Sequence, residues 1–236
     1  MPEQRSPLKS PITYWVEGSP CCNKRWEAAY KSFETEEEEI AKFRNRMTTL
    51  GALQWNKEAR IVDLFCGSGR NLTCLEKLGF QDLHGVDLSP RLLGQYDGPA
   101  SLYCGDATDL KFPDSWADIF IVQGGFHHLP NLTENLEKCV GEILRVLRPG
   151  GRLVVVEPWL TPMLRFVHWC SFNKVLRRSW RKLDDFATMT EEEEVTYFGW
   201  LDSPGMIETI FRSRFHVEFM AKRRGKFMFR GRSRKT

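Results

Sequence analysis

With 236 residues, 42% apolar and 28% charged, the chain has the composition of a globular protein that suits one domain with a generous core and room for an insertion. No apolar run approaches the roughly 18 residues that a membrane-spanning helix needs, and Met1-Pro2-Glu3 opens a segment with no apolar stretch behind it, unlike a secretory leader. Seven cysteines without metal-ligand spacing, including the adjacent pair Cys21-Cys22, predict reduced thiols, no metal site and a cytoplasmic location. The net charge of +3 hides an asymmetry: residues 206–236 carry ten Lys or Arg against Glu208 and Glu218, and the remainder is net acidic.

Residues 1–57 read as an N-terminal arm followed by helix. Pro2, Pro7, Pro11 and Pro20 make residues 1–20 an extended arm. Two acidic runs share one pattern, Thr35 before Glu36–Glu39 and Thr190 before Glu191–Glu194. Each predicts a hydroxyl N-cap, with Glu38 or Glu193 at the capping-box position and carboxylates facing the positive helix end. After the first run, Ile40, Phe43, Met47 and Leu50 recur at helical spacing.

From residue 58 onward short β-rich runs alternate with helical stretches. Candidate strands are 60–65, 83–88, 101–105, 118–123 and 152–157, a pattern that calls for a parallel α/β sheet covered on both faces. Leu136, Val140, Ile143 and Leu147 share a helical face, with Thr133 as a plausible cap and Pro149-Gly150-Gly151 as the stop. Residues 158–202 break the rhythm with many aromatic and basic side chains. Ser203-Pro204 then predicts a capped helix start, and 215–221 with 226–230 flank Arg224-Gly225 as a closing hairpin.

In such a sheet, ligands bind beyond the carboxyl ends of the strands near the switch in strand order. Three strands end in an acid there: Asp63, Asp87 and Asp106. The bend Cys66-Gly67-Ser68-Gly69 lets backbone approach a ligand, and Asp87 follows Gly67 by the 20 positions that suit a grip on ribose hydroxyls. A nicotinamide dinucleotide fits less well. The third small residue of its fingerprint is replaced by Leu72, and Asp63 would repel a pyrophosphate while suiting a positively charged amino group.

The stretches Asp63-Leu-Phe-Cys-Gly-Ser-Gly69, Gly85-Val-Asp87-Leu-Ser-Pro90, Gly105-Asp106-Ala107 and Leu147-Arg-Pro-Gly-Gly-Arg-Leu153 resemble successive motifs of the class I S-adenosylmethionine-dependent methyltransferases. Gln123-Gly-Gly-Phe-His127-His128 is similar to the fourth motif of the ubiquinone/menaquinone C-methyltransferase-like branch. The resemblance covers about residues 58–158. It implies a doubly wound, mostly parallel seven-stranded sheet with the last strand antiparallel, and S-adenosylmethionine as cofactor with S-adenosylhomocysteine as product. By the same resemblance Asp63 and Gly67 face the methionine end, Asp87 the ribose, Asp106 and Ala107 the adenine, and Gln123 the floor. Phe65, Cys66, Gly69, Asn71 and Leu88 complete the cofactor loops. The family often has a third glycine in its first motif, absent here.

The sulfonium methyl is already activated, so the protein's task is alignment, and a base is needed only if the acceptor must lose a proton. His127 and His128 follow the strand 118–123 and are the candidate bases, against a bland role in bonding loop backbone. Glu157 is a further candidate that either orients substrate or pairs with Arg165, and Cys66 has no motif partner that would make it a nucleophile. The aromatic stretch 158–202 is either a substrate cover or a helical subdomain whose aromatics are its own core. Trp26, Tyr30 and Phe33 share a helical face that suits packing over the same mouth. The leading expectation is methyl transfer to a small, apolar or aromatic metabolite. The basic C-terminal hairpin keeps an RNA (tRNA or rRNA) methyltransferase as the alternative, and a cofactor-binding protein without turnover as a second.

Overall fold

A computed structural model describes residues 11–18 and 24–234. The expected leader-free start, Pro2, Pro7, Pro20 and the Cys21-Cys22 pair lie outside the described residues. Among the described residues eight strands form one sheet: β1 (Ile12–Tyr14), β2 (Ile61–Leu64), β3 (Leu83–Asp87), β4 (Ser101–Cys104), β5 (Ala117–Gln123), β6 (Leu147–Pro158), β7 (Phe215–Arg223) and β8 (Lys226–Ser233). Their order is β1-β4-β3-β2-β5-β6-β8-β7, and β8 alone runs antiparallel to its neighbours. Seven of these are the expected sheet. The eighth is the arm itself, whose Ile12, Thr13 and Tyr14 pair in register with Leu102, Tyr103 and Cys104.

Alternation along each strand feeds two core layers. In β6, Leu153 and Val155 enter one layer while Val154 and Val156 enter the other; in β5, Phe120 and Val122 oppose Ile119 and Ile121. The helices α1 (Lys24–Phe33), α2 (Glu36–Thr49), α3 (Arg70–Lys77) and α4 (Pro90–Leu93) precede β4, and α5 (Leu132–Val146) joins β5 to β6. The segment after β6 folds as α6 (Pro162–Phe172), α7 (Lys174–Ser179), α8 (Arg181–Glu192) and α9 (Glu194–Leu201), and α10 (Pro204–Arg214) leads into the hairpin. Arg224 and Gly225 have φ of 50° and 72°, the left-handed pair that a tight hairpin turn needs. Trp200 anchors the inserted helices to the sheet: its ring is fully buried and its Nε1 donates to the Pro158 carbonyl at 2.8 Å.

Local capping divides between success and failure. Thr35 forms the full capping box, with its Oγ1 accepting from the Glu38 amide at 3.2 Å and its own amide donating back to Glu38 at 3.2 Å. Thr190 does not cap. It lies inside α8 and donates to the Phe186 carbonyl one turn back at 2.8 Å, because α8 runs through the threonine and breaks only at Glu193. Asn131, not Thr133, precedes α5, and Ser203 at the start of α10 turns its hydroxyl back to the Gly199 carbonyl. α5 ends at Val146, so Pro149-Gly150-Gly151 falls within the irregular start of β6, where the β5 pairing shifts register.

Candidate active site

The strand order reverses beside β2, which places the carboxyl ends of β2, β3, β4 and β5 around one crevice. Asp63 is fully buried there. Its Oδ1 accepts from the Asn71 side-chain amide at 3.3 Å, and Asn71 Oδ1 in turn accepts from Gln123 Nε2 at 3.5 Å. Asp63 Oδ2 and Gln123 Oε1 remain buried without a hydrogen-bond partner. Two orphaned acceptors are costly unless a donor arrives, and an ammonium group supplies three. Burial pushes the Asp63 carboxyl up to about 8, against a smaller opposing effect of Asn71. A cation at this spot would restore the charged form.

Asp87 braces the glycine bend: its Oδ2 accepts from the Gly67 amide and its Oδ1 from the Ser89 amide, each at 2.8 Å. Burial is the main cause that raises its pKa, and these amides oppose it. Gly67 has φ of 53° and nothing within 4 Å of the position a Cβ would take, so its free side faces open space. Gly69, at φ 76°, instead has the Tyr96 ring filling its Cβ position. Phe65, strained at φ 64°, lays its ring where a Cβ of Gly125 would sit. Cys66 is buried and its thiol pKa is raised by burial, the opposite of an activated nucleophile. Asp106 closes a turn by accepting from the Thr108 amide and hydroxyl, both at 2.8 Å. Ala107 is buried beside it, while Leu88 is exposed at the rim.

On the acceptor side, Phe126–His128 form a single 3-10 turn directly after β5. Glu157, at the end of β6 and fully buried, holds that turn. Its Oε1 accepts from the Gly125 and Phe126 amides at 2.8 Å each, and its Oε2 meets His127 Nδ1 at 2.7 Å. The expected alternative of a pair with Arg165 is not realised: Arg165 is exposed on α6, and Glu157 is committed inward. With Nδ1 given to the Glu157 carboxylate, His127 Nε2 is left to face Glu193 and the mouth. Burial lowers the His127 pKa, reinforced by the charge of His128 and opposed by Glu157, so the ring favours its neutral, basic form.

Sequence reasoning missed the group that closes this arrangement. Glu193, read as a helix-start carboxylate, sits at the α8–α9 break with Oε1 3.1 Å from His128 Nδ1 and Oε2 3.8 Å from His127 Nε2. The three side chains put a potential ligand atom each within 4.8 Å, a geometry also open to a divalent cation. Lys226, across the β6–β8 pair from Pro158, was read only as part of a basic hairpin. Burial, aided by Arg46, lowers its amine to about 8. No sequence signal marks Glu193 for this place, because its contacts with His127 and His128 join distant parts of the chain.

Around the Phe126–His128 turn α1 packs against α8, and the arm joins from the sheet edge. Trp26 stacks on Tyr30 at 4.9 Å and turns its edge to His128 at 6.4 Å, and Phe33 meets Phe186 of α8 at 6.4 Å. Ser32 and Arg25 of α1 bond Asp185 and Glu192 of α8. From the arm, the Trp15 ring fills the Cβ position of Gly105 and packs on Tyr103 at 4.8 Å.

A mostly parallel sheet with this strand order, an acid-tipped crevice and a glycine bend defines the class I S-adenosylmethionine-dependent methyltransferase fold. The comparisons agree: residues 62–155 match a family model described as a methyltransferase domain. A demethylmenaquinone methyltransferase of Thermus thermophilus is 33% identical over 132 residues, covering 48% of this chain and 58% of that protein. A ubiquinone/menaquinone biosynthesis C-methyltransferase of Psychromonas ingrahamii is 37% identical over 79 residues, 32% of this chain and 30% of that one. Among solved structures, a protein of Pyrococcus horikoshii OT3 superposes with TM-score 0.66 at 17% identity, covering 90% of this chain and 100% of that one. A Methanosarcina mazei structure described as a SAM-dependent methyltransferase gives 0.53 at 19%, over 76% and 94%. The chain spans about half the length of the curated relatives it matches. Residues 62–155 thus resemble a methyltransferase domain, the sheet has the class I methyltransferase fold, and S-adenosylmethionine fits the donor-hungry pocket at Asp63 and Gln123.

Proposed function

We propose that this protein transfers a methyl group from S-adenosylmethionine to a small, apolar or aromatic metabolite by in-line displacement. The observation that carries the reading is the pair of buried, partnerless acceptors, Asp63 Oδ2 and Gln123 Oε1, beside the open face of Gly67. Asp63 and Gln123 take the methionine end, Asp87 the ribose through lone pairs left over from its amide bonds, and Asp106 with Ala107 the adenine. Phe65, Cys66, Gly67, Gly69, Asn71 and Leu88 line the rest. The cofactor supplies an activated methyl; the chain supplies alignment, which contributes roughly 7–11 kcal/mol in well-oriented reactions.

Glu157 acts by positioning. Its carboxylate fixes the His127 tautomer, leaving Nε2 as the base for an acceptor proton, while Glu193 and His128 close the mouth. The names of the relatives favour an aromatic carbon acceptor whose proton must leave during methylation. The basic hairpin lends less support to an RNA substrate than its composition suggests. Arg152, Arg230 and Arg232 converge on Glu218, Lys222 pairs with Glu208, and Arg230 also donates to the Leu50 carbonyl at 2.7 Å. Calorimetry with S-adenosylmethionine tests the cofactor step. Formation of S-adenosylhomocysteine with a panel of phenols, naphthols and transcribed tRNA tests the acceptor. Absence of cofactor heat sinks the reading, and turnover on RNA alone replaces the acceptor class.

A further inference from the structure

Eleven large hydrophobic side chains are exposed among the described residues, and seven of them fall from Met163 to Trp180 on the outside of the inserted helices. Single exposed apolar residues need no explanation, but a contiguous set this size does. Phe166, Trp169, Phe172 and Trp180 are 62%, 63%, 71% and 62% exposed. The helix α6 explains why. Leu164, His168 and Ser171, at spacings of four and three, turn inward, and His168 Nε2 meets the Tyr197 hydroxyl at 3.1 Å. Met163, Phe166 and Trp169, three apart, form a second apolar stripe on the opposite side, with Phe166 and Trp169 stacked at 5.9 Å. α7 buries none of its residues.

Charge selects the occupant of this face. Residues 162–183 hold six Lys or Arg and no Asp or Glu. Arg177 is tied to Asp184 and Glu191, and Lys182 to Glu38. Arg165, Lys174, Arg178 and Arg181 are exposed and form no ion pair with the described residues. Aromatic rings interleaved with unpaired cations on short helices match the chemistry of an anionic membrane interface. A protein interface shares the aromatic and arginine enrichment but keeps charge out of its core, whereas here the cations lie among the rings. No helix of the described residues is long and apolar enough to cross a membrane, so the contact is with the bilayer surface.

We propose that the outer face of α6, α7 and Trp180 docks on the surface of an anionic phospholipid bilayer. The site's inner layer is one side chain away: Tyr197, held by His168, packs edge-on to His127 at 5.9 Å. If the methyl-transfer reading also holds, the docked lid draws its acceptor from those dissolved in the bilayer; the docking itself stands on the surface alone.

Co-sedimentation with vesicles of phosphatidylcholine, with and without phosphatidylglycerol, tests it. Binding to the mixed vesicles at low salt, weakened at high salt, is expected, together with a blue shift of tryptophan emission. Trp169→Ser with Phe172→Ser, both on exposed positions, and separately Arg178→Gln with Arg181→Gln, are each expected to weaken binding by about tenfold or more. No sedimentation with anionic vesicles, or sedimentation indifferent to the aromatic pair, overturns the proposal. So does concentration-dependent self-association abolished by that pair without vesicle binding, which makes the face an interface between copies. Cofactor affinity of the same variants, read by calorimetry without vesicles, separates failure of docking from failure of the methyl-transfer reading.

Discussion

The cofactor edge of the sheet and the inserted helices α6–α9 solve opposite problems. At the edge, short loops leave strand-borne acids buried and under-satisfied, so the pocket is defined by what it lacks: donors at Asp63 Oδ2 and Gln123 Oε1. In the insertion, Glu192 and Lys182 pair with α1 and α2, while exposed cations and apolar side chains are left outside. A pocket for one ligand needs fixed, costly acceptors, whereas the outer helices carry their charges and rings at the surface. The two meet at His127, held from below by Glu157 and touched from above by Glu193.

The sharpest way to break that division is Glu157→Gln. The new amide keeps an oxygen for the Gly125 and Phe126 amides but presents N–H to His127 Nδ1, forcing the proton to Nε2 and removing the base. Turnover is expected to fall by roughly 10²–10⁴ while calorimetric cofactor affinity stays at the parental level. Equal loss of both would make Glu157 merely architectural. Next in size, Trp200→Ala should cost about 3–5 kcal/mol in denaturant unfolding, since it empties a fully buried site and strips the Pro158 carbonyl. Trp180→Ala, on the outward face, should stay within about 0.5 kcal/mol.

On the cofactor side, Asp63→Asn should weaken S-adenosylmethionine binding by roughly 10–100-fold, the value of a charged hydrogen bond. The pH signature is specific. A carboxyl raised to about 8 is mostly protonated at pH 7, so binding an ammonium there must expel a proton, and affinity should climb with pH until about 8. Calorimetry in two buffers of different ionisation enthalpy reads that proton, and its persistence in the Asn variant would assign it elsewhere. For the unliganded protein the sign reverses. The folded carboxyl holds its proton above the unfolded value, so this group's contribution to stability declines as pH rises from about 4 to about 8. The smallest effect separates two identical sequence patterns. Thr35→Ala loses a capping box and should cost about 1 kcal/mol, whereas Thr190→Ala loses only a bond back to Phe186 and should cost less.

What the chain determined by itself is local and periodic. Short β-rich runs placed the strands, helical spacing placed α2 and α5, and a glycine bend between acid-tipped strands marked the crevice, because each depends on neighbours within a few positions. The hairpin turn at Arg224-Gly225 belongs to the same class. The tertiary structure decided what lies across long separations. It drew the arm into the sheet as an eighth strand, since Ile12–Tyr14 has no pattern of its own until β4 offers an edge. It overrode the cap at Thr190, because packing of α8 on α1 outweighs roughly 1 kcal/mol of local capping. It also turned Glu157 toward His127 rather than Arg165 and brought Glu193 over both histidines. A buried carboxylate takes whichever donors the fold delivers, and that choice is not written in the residues beside it.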